Sequence, residues 1–213
     1  MTLTLEQPGP PNLAYARAAD RPHLERTAAA QSARGFRVTV ADSGAHAREI
    51  VLGLLPEGAE VHSALSETLR ELGITEAIEA SGRYRSVRVA LAALDRETQR
   101  REMQRLGAAP DYVVGSAHAI TDDGQIVVGS GSGSQLGAYA YAAGQVVLVV
   151  GHQKLVRDLD DGLRRLQEYC LPLEFARMQT LGRAGSLLAK TLLLHQEPAG
   201  RITVVLVPET LGY

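Results

Sequence analysis

The stretch QVVLVVG (145–151) is the most informative part of this sequence for the fold. Its run VVLVV contains no polar residue, so it predicts a strand that is covered on both faces. Strands of this kind are typical of parallel sheets wrapped by helices. The stretch therefore indicates an α/β protein with a mainly parallel sheet flanked by helices.

The flanking sequence supports this fold class, because apolar β-branched runs alternate with helical patterns. The predicted strands are FRVTVA (36–41), AEVHSA (59–64), YRSVRVA (84–90), DYVVGSA (111–117), GQIVVGS (124–130) and the beginning of RITVVLVPETLGY (201–213). The predicted helices cover 13–32, 43–54, 66–73, 95–107 and 155–169, with Ser43 and Ser66 as N-caps.

Length and composition fit one globular domain, since the chain has 213 residues and 45% of them are hydrophobic. Residues 1–12 hold three of the nine prolines and are predicted to be a flexible tail. We expect residues 13–58 to form a helical N-terminal extension that packs on the domain, and residues 59–213 to form the α/β domain.

Charge and cysteine content exclude several classes of function. The net charge is −2 and the pI about 6.3, which favours neither nucleic acid nor an anionic membrane as a partner. No apolar run is long enough for a membrane span, and no signal sequence precedes the domain, so a cytoplasmic location is expected. The single cysteine, Cys170, cannot form an internal disulfide or an all-cysteine metal site, and we expect a buried thiol and no cofactor.

The segment VVGSGSGSQLGAY (127–139) raises the question of function. A glycine-rich turn after a strand can direct several backbone N–H groups at one anion, although such turns are also common as purely structural elements. Loops 116–124 and 151–160 follow predicted strands as well. If these strands are parallel neighbours, their polar residues meet at one cleft, where ligands of open α/β sheets gather.

The candidate ligand-binding residues are His118, Thr121, Ser130, Gly131, Ser132, Gly133, Ser134, Gln135, Lys154 and Asp158, with Asp122 and His152 nearby. Some of them also have a structural interpretation. Lys154 and Asp158 are spaced as an i,i+4 ion pair, and Asp158 suits the first turn of a helix. Asp122-Asp123-Gly124 suits a hairpin turn. The histidines have no metal-ligand spacing, and no catalytic acid–base pair can be placed from spacing alone.

Several ordered motifs resemble the LUD domain of lactate-utilisation proteins, especially the stand-alone type called lactate utilisation protein C. They are SAHAITDDGQIV (116–127), the glycine loop with the following VVLVVGHQKLV, and the upstream SALSETLRELG (63–73). Gln153-Lys154 match an Asn-Lys pair of the family. His118 stands where asparagine is common, and Ser134 or Gln135 replaces the asparagine of the loop.

This resemblance implies a fold similar to that of ribose-phosphate isomerases and CoA transferases, whose glycine loops contact phosphate or CoA groups. It also implies a bacterial lactate-oxidising system, in which this chain is a non-redox component beside iron–sulfur and oxidase subunits. Two main hypotheses stay open at this point. The chain binds a small anionic ligand in support of organic-acid utilisation, or it is a stand-alone enzyme acting on a phosphosugar, nucleotide or CoA ester. A purely structural or regulatory subunit is the third possibility.

Overall fold

A computed structural model describes residues 6–213, which contain ten strands. The strands are β1 (Arg37–Val40), β2 (Glu60–Ser63), β3 (Arg85–Ser86), β4 (Tyr112–Gly115), β5 (Ala119–Thr121), β6 (Ile126–Ser130), β7 (Gln145–Gly151), β8 (Leu155–Val156), β9 (Lys190–Leu194) and β10 (Ile202–Val207). They form a six-stranded sheet and a four-stranded sheet.

Eight α-helices connect and cover these strands. They are α1 (Arg21–Ala33), α2 (Gly44–Leu54), α3 (Glu67–Glu71), α4 (Ile74–Glu79), α5 (Val87–Ala92), α6 (Arg100–Ala108), α7 (Leu159–Arg165) and α8 (Leu171–Thr180). Short 3₁₀ turns at Leu13–Ala16 and His152–Lys154 and π-helical turns at Ala138–Ala142 and Leu166–Cys170 complete the secondary structure.

The main sheet has the strand order β1-β10-β7-β4-β2-β3, and every neighbouring pair is parallel. Strand β7 lies in its interior between β10 and β4, and both of its faces are buried. Val146, Leu148 and Val150 belong to the apolar core on one face, and Val147 and Val149 to the core on the other. The prediction of an α/β fold with a mainly parallel sheet, made from this strand, is confirmed.

Helices α2, α3 and α4 cover one face of the main sheet. The second sheet, of order β8-β5-β6-β9, contributes Ile120, Ile126 and Val128 to the core on the other face. Its own far side is covered by the segment from α7 to Cys170. Strand β6 therefore lies outside the main sheet, and it pairs antiparallel with β5 and β9.

The strand predicted over residues 84–90 is wrong for most of its length. Only Arg85–Ser86 pair with β2, and helix α5 starts at Val87. Ser86 is the reason, because its hydroxyl accepts a hydrogen bond from the Val89 amide and so caps a helix. Val89 is 54% exposed, so the apparent alternation of valines did not reflect a buried strand face.

Three predicted helices begin later than expected. The helix over 95–107 begins at Arg100, and the other two begin at aspartate N-caps. The helix over 13–32 is a 3₁₀ turn followed by α1, which begins after Asp20, whose carboxylate accepts from the His23 amide. In the range 155–169, which was predicted to be helical, the first two residues form strand β8, and α7 starts only after Asp158. In both cases an aspartate N-cap fixes the start of the helix inside the predicted range.

Residues 1–5 of the predicted tail lie outside the described residues, and Asn12 hydrogen bonds through its backbone and side chain to Glu168. Within the predicted extension, residues 37–40 supply β1, an edge strand of the main sheet. The division of the chain at residue 59 stays a prediction. Across residues 6–213, no helix has the length and apolar character that a membrane crossing requires.

Candidate functional site

Lys154 lies at the edge of the main sheet where β7, β4 and β2 end. Its side-chain Nζ donates to Thr68 Oγ1 at 2.9 Å and to Ser116 Oγ at 3.1 Å. Ser116 is the first residue after β4, and Thr68 is in the first turn of α3, the helix that follows β2. The carboxyl ends of neighbouring parallel strands thus bring together three polar side chains from distant parts of the sequence.

The environment of Lys154 is unusual for a lysine, because the residue is only 1% exposed. Its hydrogen-bond partners are hydroxyls, and among the described residues it forms no ion pair with a carboxylate. Burial, reinforced by the charge of Arg165, lowers the pKa of Lys154 to about 7. The Lys154 side chain is therefore a buried amine without an acidic partner.

Arg165 is a second buried cation in the same electrostatic neighbourhood. The residue is 0% exposed, and its Nη1 donates to the carbonyl of His118 and to Cys170 Sγ. Its Nε and Nη2 have no hydrogen-bond partner within residues 6–213. The guanidinium carbon lies 4.9 Å from the centre of the Tyr169 ring. An arginine keeps its charge in a folded protein, so two of its nitrogens are buried donors that lack an acceptor.

His118 and Cys170 do not neutralise these charges. Burial, with the charges of Lys154 and Arg165, lowers the pKa of His118 to about 3, so the imidazole is neutral. Its Nδ1 accepts a hydrogen bond of 3.1 Å from the Gly129 amide. Burial raises the pKa of the Cys170 thiol, which opposes formation of a thiolate. We call Lys154 and Arg165 the cationic pair.

The segment 209–213, here called the closing segment, covers this edge of the sheet. Thr68 Oγ1 donates to the Leu211 carbonyl at 3.1 Å, and Gln153 Nε2 donates to the carbonyls of Leu211 and Gly212 at 2.9 and 3.0 Å. The Gly212 amide in turn donates to Glu71 at 2.8 Å. These bonds hold the closing segment against the residues that surround Lys154.

The glycine loop uses some of its backbone N–H groups, which an anion would need, for its own hydrogen bonds. The Gly133 amide donates to Ser130 Oγ at 2.9 Å and the Ser134 amide to Ser132 Oγ at 3.3 Å. Ser130 Oγ also lies 3.1 Å from Gln135 Oε1. Two of the loop amides are therefore used by the loop itself. Gly133 has φ +82°, which a residue with a side chain rarely adopts.

A single cleft required the three predicted strands to be parallel neighbours, and only two of them are. Strands β4 and β7 are parallel neighbours, but β6, which leads into the loop, belongs to the second sheet. No hydrogen bond joins residues 130–135 to Lys154 within the part of the chain that the structure describes. Ligand binding by Ser130, Gly131, Ser132, Gly133, Ser134 and Gln135 stays a prediction.

The other predicted residues have structural partners. Thr121 Oγ1 bonds to Asp123 and accepts from the Gln125 amide within the β5–β6 hairpin, where Gly124 has φ +91°. Asp158 caps α7 by accepting from the Asp161 amide at 2.9 Å, as its helical interpretation predicted. Asp122 pairs with His23, and His152 Nε2 lies 3.2 Å from Thr210 Oγ1. Of the predicted residues, Lys154 belongs to the cationic pair, and His118 contacts Arg165 through its backbone carbonyl.

Comparison with known proteins gives the family of this fold. The sequence profile described as LUD domain matches residues 24–207, which is most of the chain. The chain belongs to the LUD domain family. This LUD domain is similar to the crystal structure of a DUF162 family protein from Deinococcus radiodurans, with a TM-score of 0.52 and 14% identity. The similarity covers 90% of this chain and 99% of that chain, and it shows the fold alone. A comparison with curated protein sequences found no match.

The family resemblance predicted from the sequence is confirmed, and the match extends beyond the motifs that carried it on both sides, over residues 24–207. Three residues of the candidate site had not been singled out from the sequence: Thr68, Ser116 and Arg165. Two of them lie inside the motifs that carried the resemblance, in SALSETLRELG and SAHAITDDGQIV. Arg165 lies in a helical stretch with several charged residues, where its sequence gave no signal of burial.

Proposed function

We propose that this LUD-domain protein binds a small organic carboxylate at the cationic pair and serves bacterial lactate or organic-acid utilisation as a non-redox component. The observation that carries the proposal is the burial of Lys154 and Arg165 with no carboxylate partner among residues 6–213. The unpaired charge of Arg165 costs several kcal/mol in the protein interior, and a bound anion offsets this cost and favours the protonated form of Lys154. Charge-assisted hydrogen bonds of this kind contribute about 1.5–3 kcal/mol each.

A carboxylate suits the available donors. Arg165 offers two unpartnered nitrogens, Nε and Nη2, and adjacent guanidinium N–H groups match the two oxygens of a carboxylate. Two surface depressions, of about 380 and 190 Å³, lie beside α7, and Lys154 lines neither of them. Lys154 is 1% and Arg165 0% exposed, so both side chains are closed to solvent in this conformation, which favours a small ligand over a nucleotide.

The metabolic role rests on the family rather than on the site. Membership in the LUD domain family supports a function of the lactate-utilisation type. The chain has one cysteine, and this residue is buried beside Arg165, so the chain alone cannot ligate a cluster through several cysteines. The proposal therefore assigns electron transfer to iron–sulfur and oxidase partners and organic-acid binding to this protein.

Thermal unfolding in the presence of lactate, pyruvate, acetate, inorganic phosphate or chloride tests the binding. A carboxylate should stabilise the wild-type protein progressively, by about 2.7 kcal/mol at 100 times its dissociation constant. The variants Lys154→Met and Arg165→Met should lose this stabilisation. Lys190→Met and Arg164→Met are matched controls and should retain it, because Lys190 is exposed and the Arg164 side chain is 52% exposed.

The proposal is wrong if no carboxylate stabilises the wild-type protein, or if the two buried-site variants respond like the controls. Equal stabilisation by chloride, phosphate and the carboxylates would show a general anion site and would contradict the assignment to organic acids. A phosphosugar, a nucleotide and a CoA ester complete the panel, because preferential binding of one of them would instead support the enzyme hypothesis.

A further inference from the structure

The hydroxyl of Ser116 lies beside Lys154, and the proposed anion site gives this hydroxyl no role. The Ser116 hydroxyl lies 3.1 Å from Lys154 Nζ, directly after the end of β4. Ser116 is partly exposed, whereas Lys154 is 1% exposed. A hydroxyl beside a buried amine, at the carboxyl edge of a parallel sheet, has the arrangement of a nucleophile and its base.

Thr68 fixes the orientation of the amine. Its Oγ1 donates its only proton to the Leu211 carbonyl at 3.1 Å, so it can interact with Lys154 only as an acceptor. One N–H of Lys154 therefore points at Thr68. While Lys154 donates to Ser116 Oγ, the Ser116 hydroxyl donates to the Ala117 carbonyl at 3.2 Å. When the amine is neutral, its lone pair becomes an alternative acceptor for that hydroxyl proton. Burial and the charge of Arg165 both favour that neutral form, since they lower the pKa of Lys154 to about 7.

The structure points to Ser116 as a nucleophile, with Lys154 as its base, that accepts the acyl group of an activated ester of a small organic acid. This inference rests on the proposed function in one respect: the free carboxylate released by the reaction is the ligand proposed for the cationic pair. The substrate class is a thioester or another ester with a good leaving group.

The reaction has two balanced steps and involves no change in oxidation state. In the first, a bond forms between Ser116 Oγ and the acyl carbon while the hydroxyl proton moves to Lys154 Nζ. The carbon–sulfur or carbon–oxygen bond of the ester breaks, and the leaving group takes the proton from Lys154. In the second, water attacks the acyl-serine with Lys154 again as base, which releases the carboxylic acid and restores the Ser116 hydroxyl.

The buried charge of Arg165 supports this chemistry. Negative charge develops on the acyl oxygen in both steps, and a fixed positive charge in a site of low dielectric constant stabilises it. A bound carboxylate has the opposite effect on the nucleophile. It keeps Lys154 protonated, so the free acid should inhibit acylation of Ser116.

The experiment uses p-nitrophenyl acetate as the probe with the full chain. We expect a burst of p-nitrophenolate and, by peptide mass spectrometry of the wild-type protein, an acetyl group on Ser116. The burst rate should rise with pH around an apparent pKa near 7. Lys154→Met should slow the burst by about 100-fold or more, and Ser116→Ala should abolish it. Lys190→Met should leave it unchanged, and acetate or lactate should slow it in the wild-type protein.

An acetyl group found only on Lys154, Lys190 or another residue would overturn the inference, as would a full burst in Ser116→Ala. The site of acetylation in the wild-type protein decides the question even if a variant does not fold. Ser116→Ala also separates the two proposals. If it keeps the stabilisation by carboxylates and the wild type shows no burst, only the nucleophile is wrong. If the wild type shows the burst without carboxylate stabilisation, only the proposed ligand site is wrong.

Discussion

Lys154 Nζ lies 2.9 Å from Thr68 Oγ1, although the two residues are 86 positions apart in the chain. The contact joins the turn after β7 to the first turn of α3. Thr68 also donates a hydrogen bond to the Leu211 carbonyl of the closing segment. A single threonine hydroxyl thus orients the buried amine and holds the segment that covers it.

Replacing Thr68 should loosen both contacts. Thr68→Val removes an acceptor from a buried amine and a donor from the Leu211 carbonyl, so we expect a loss of about 1–3 kcal/mol in the free energy of unfolding. Urea denaturation measures this loss, and hydrogen exchange at the Gly212 amide should become faster. Thr68→Ser keeps the hydroxyl and is the control. Equal stability and equal exchange in the two variants would contradict the role of the hydroxyl.

Lys154 should make the protein more stable as the pH rises from about 7 to about 10. Its pKa is about 7 in the folded protein against 10.5 for an ordinary lysine, so the unfolded chain binds more protons in this range. The free energy of unfolding should therefore increase by up to about 1.4 kcal/mol per pH unit from this group. Denaturation at several pH values measures the slope.

In that experiment Lys154→Met should flatten the alkaline slope, whereas Lys190→Met should keep it. Lys190 is a suitable control because it is the other lysine of the chain and is exposed. A slope that is identical in the wild type and Lys154→Met would show that the buried amine does not titrate in this range.

His118 should make the protein less stable at acid pH. Its pKa is lowered to about 3, so it stays neutral in the folded protein while the unfolded chain takes up a proton below about pH 6.5. The free energy of unfolding should fall as the pH drops from about 6.5 towards 3. His118→Asn keeps an acceptor for the Gly129 amide and should reduce this loss. By NMR, the His118 ring signals of the wild type should not move between pH 5 and 8. A shift in that interval would contradict the assignment.

Gly115 should be intolerant of any side chain. A Cβ at this position would overlap the hydroxyl oxygen of Tyr139, which is itself buried at 1% exposure. Gly115→Ala should therefore lower the free energy of unfolding by about 1–3 kcal/mol or more. Tyr139→Phe removes the clashing oxygen, so the double variant should be more stable than the sum of the two single changes predicts. Strict additivity in urea denaturation would contradict this explanation.

The sequence predicted the fold class well because burial on both faces leaves a local signal. The run VVLVV has no polar alternation, and β7 is indeed buried on both sides. Capping residues are also local, and Ser43, Ser66 and the Asp122–Gly124 turn have the roles that their types predicted. Residues 84–90 were mispredicted because alternating valines fit a strand, while Ser86 caps a helix.

The candidate site depended on information that no local pattern contains. Lys154 and His118 were singled out by the sequence, but Thr68, Ser116 and Arg165 were not. A place for the glycine loop beside Lys154 depended on β6 being a parallel neighbour of β4 and β7. It is not, since β6 pairs with β5 and β9 in the second sheet.

The sequence by itself determined the fold class, the strand that is buried on both faces and several helix caps, because periodicity and capping act over a few residues. The tertiary structure alone decided that β2, β4 and β7 end side by side and that two cations share one buried region. The physical reason is that strand order in a sheet is set by contacts between residues far apart in the chain. Side chains at strand ends therefore become neighbours only once the whole sheet has formed.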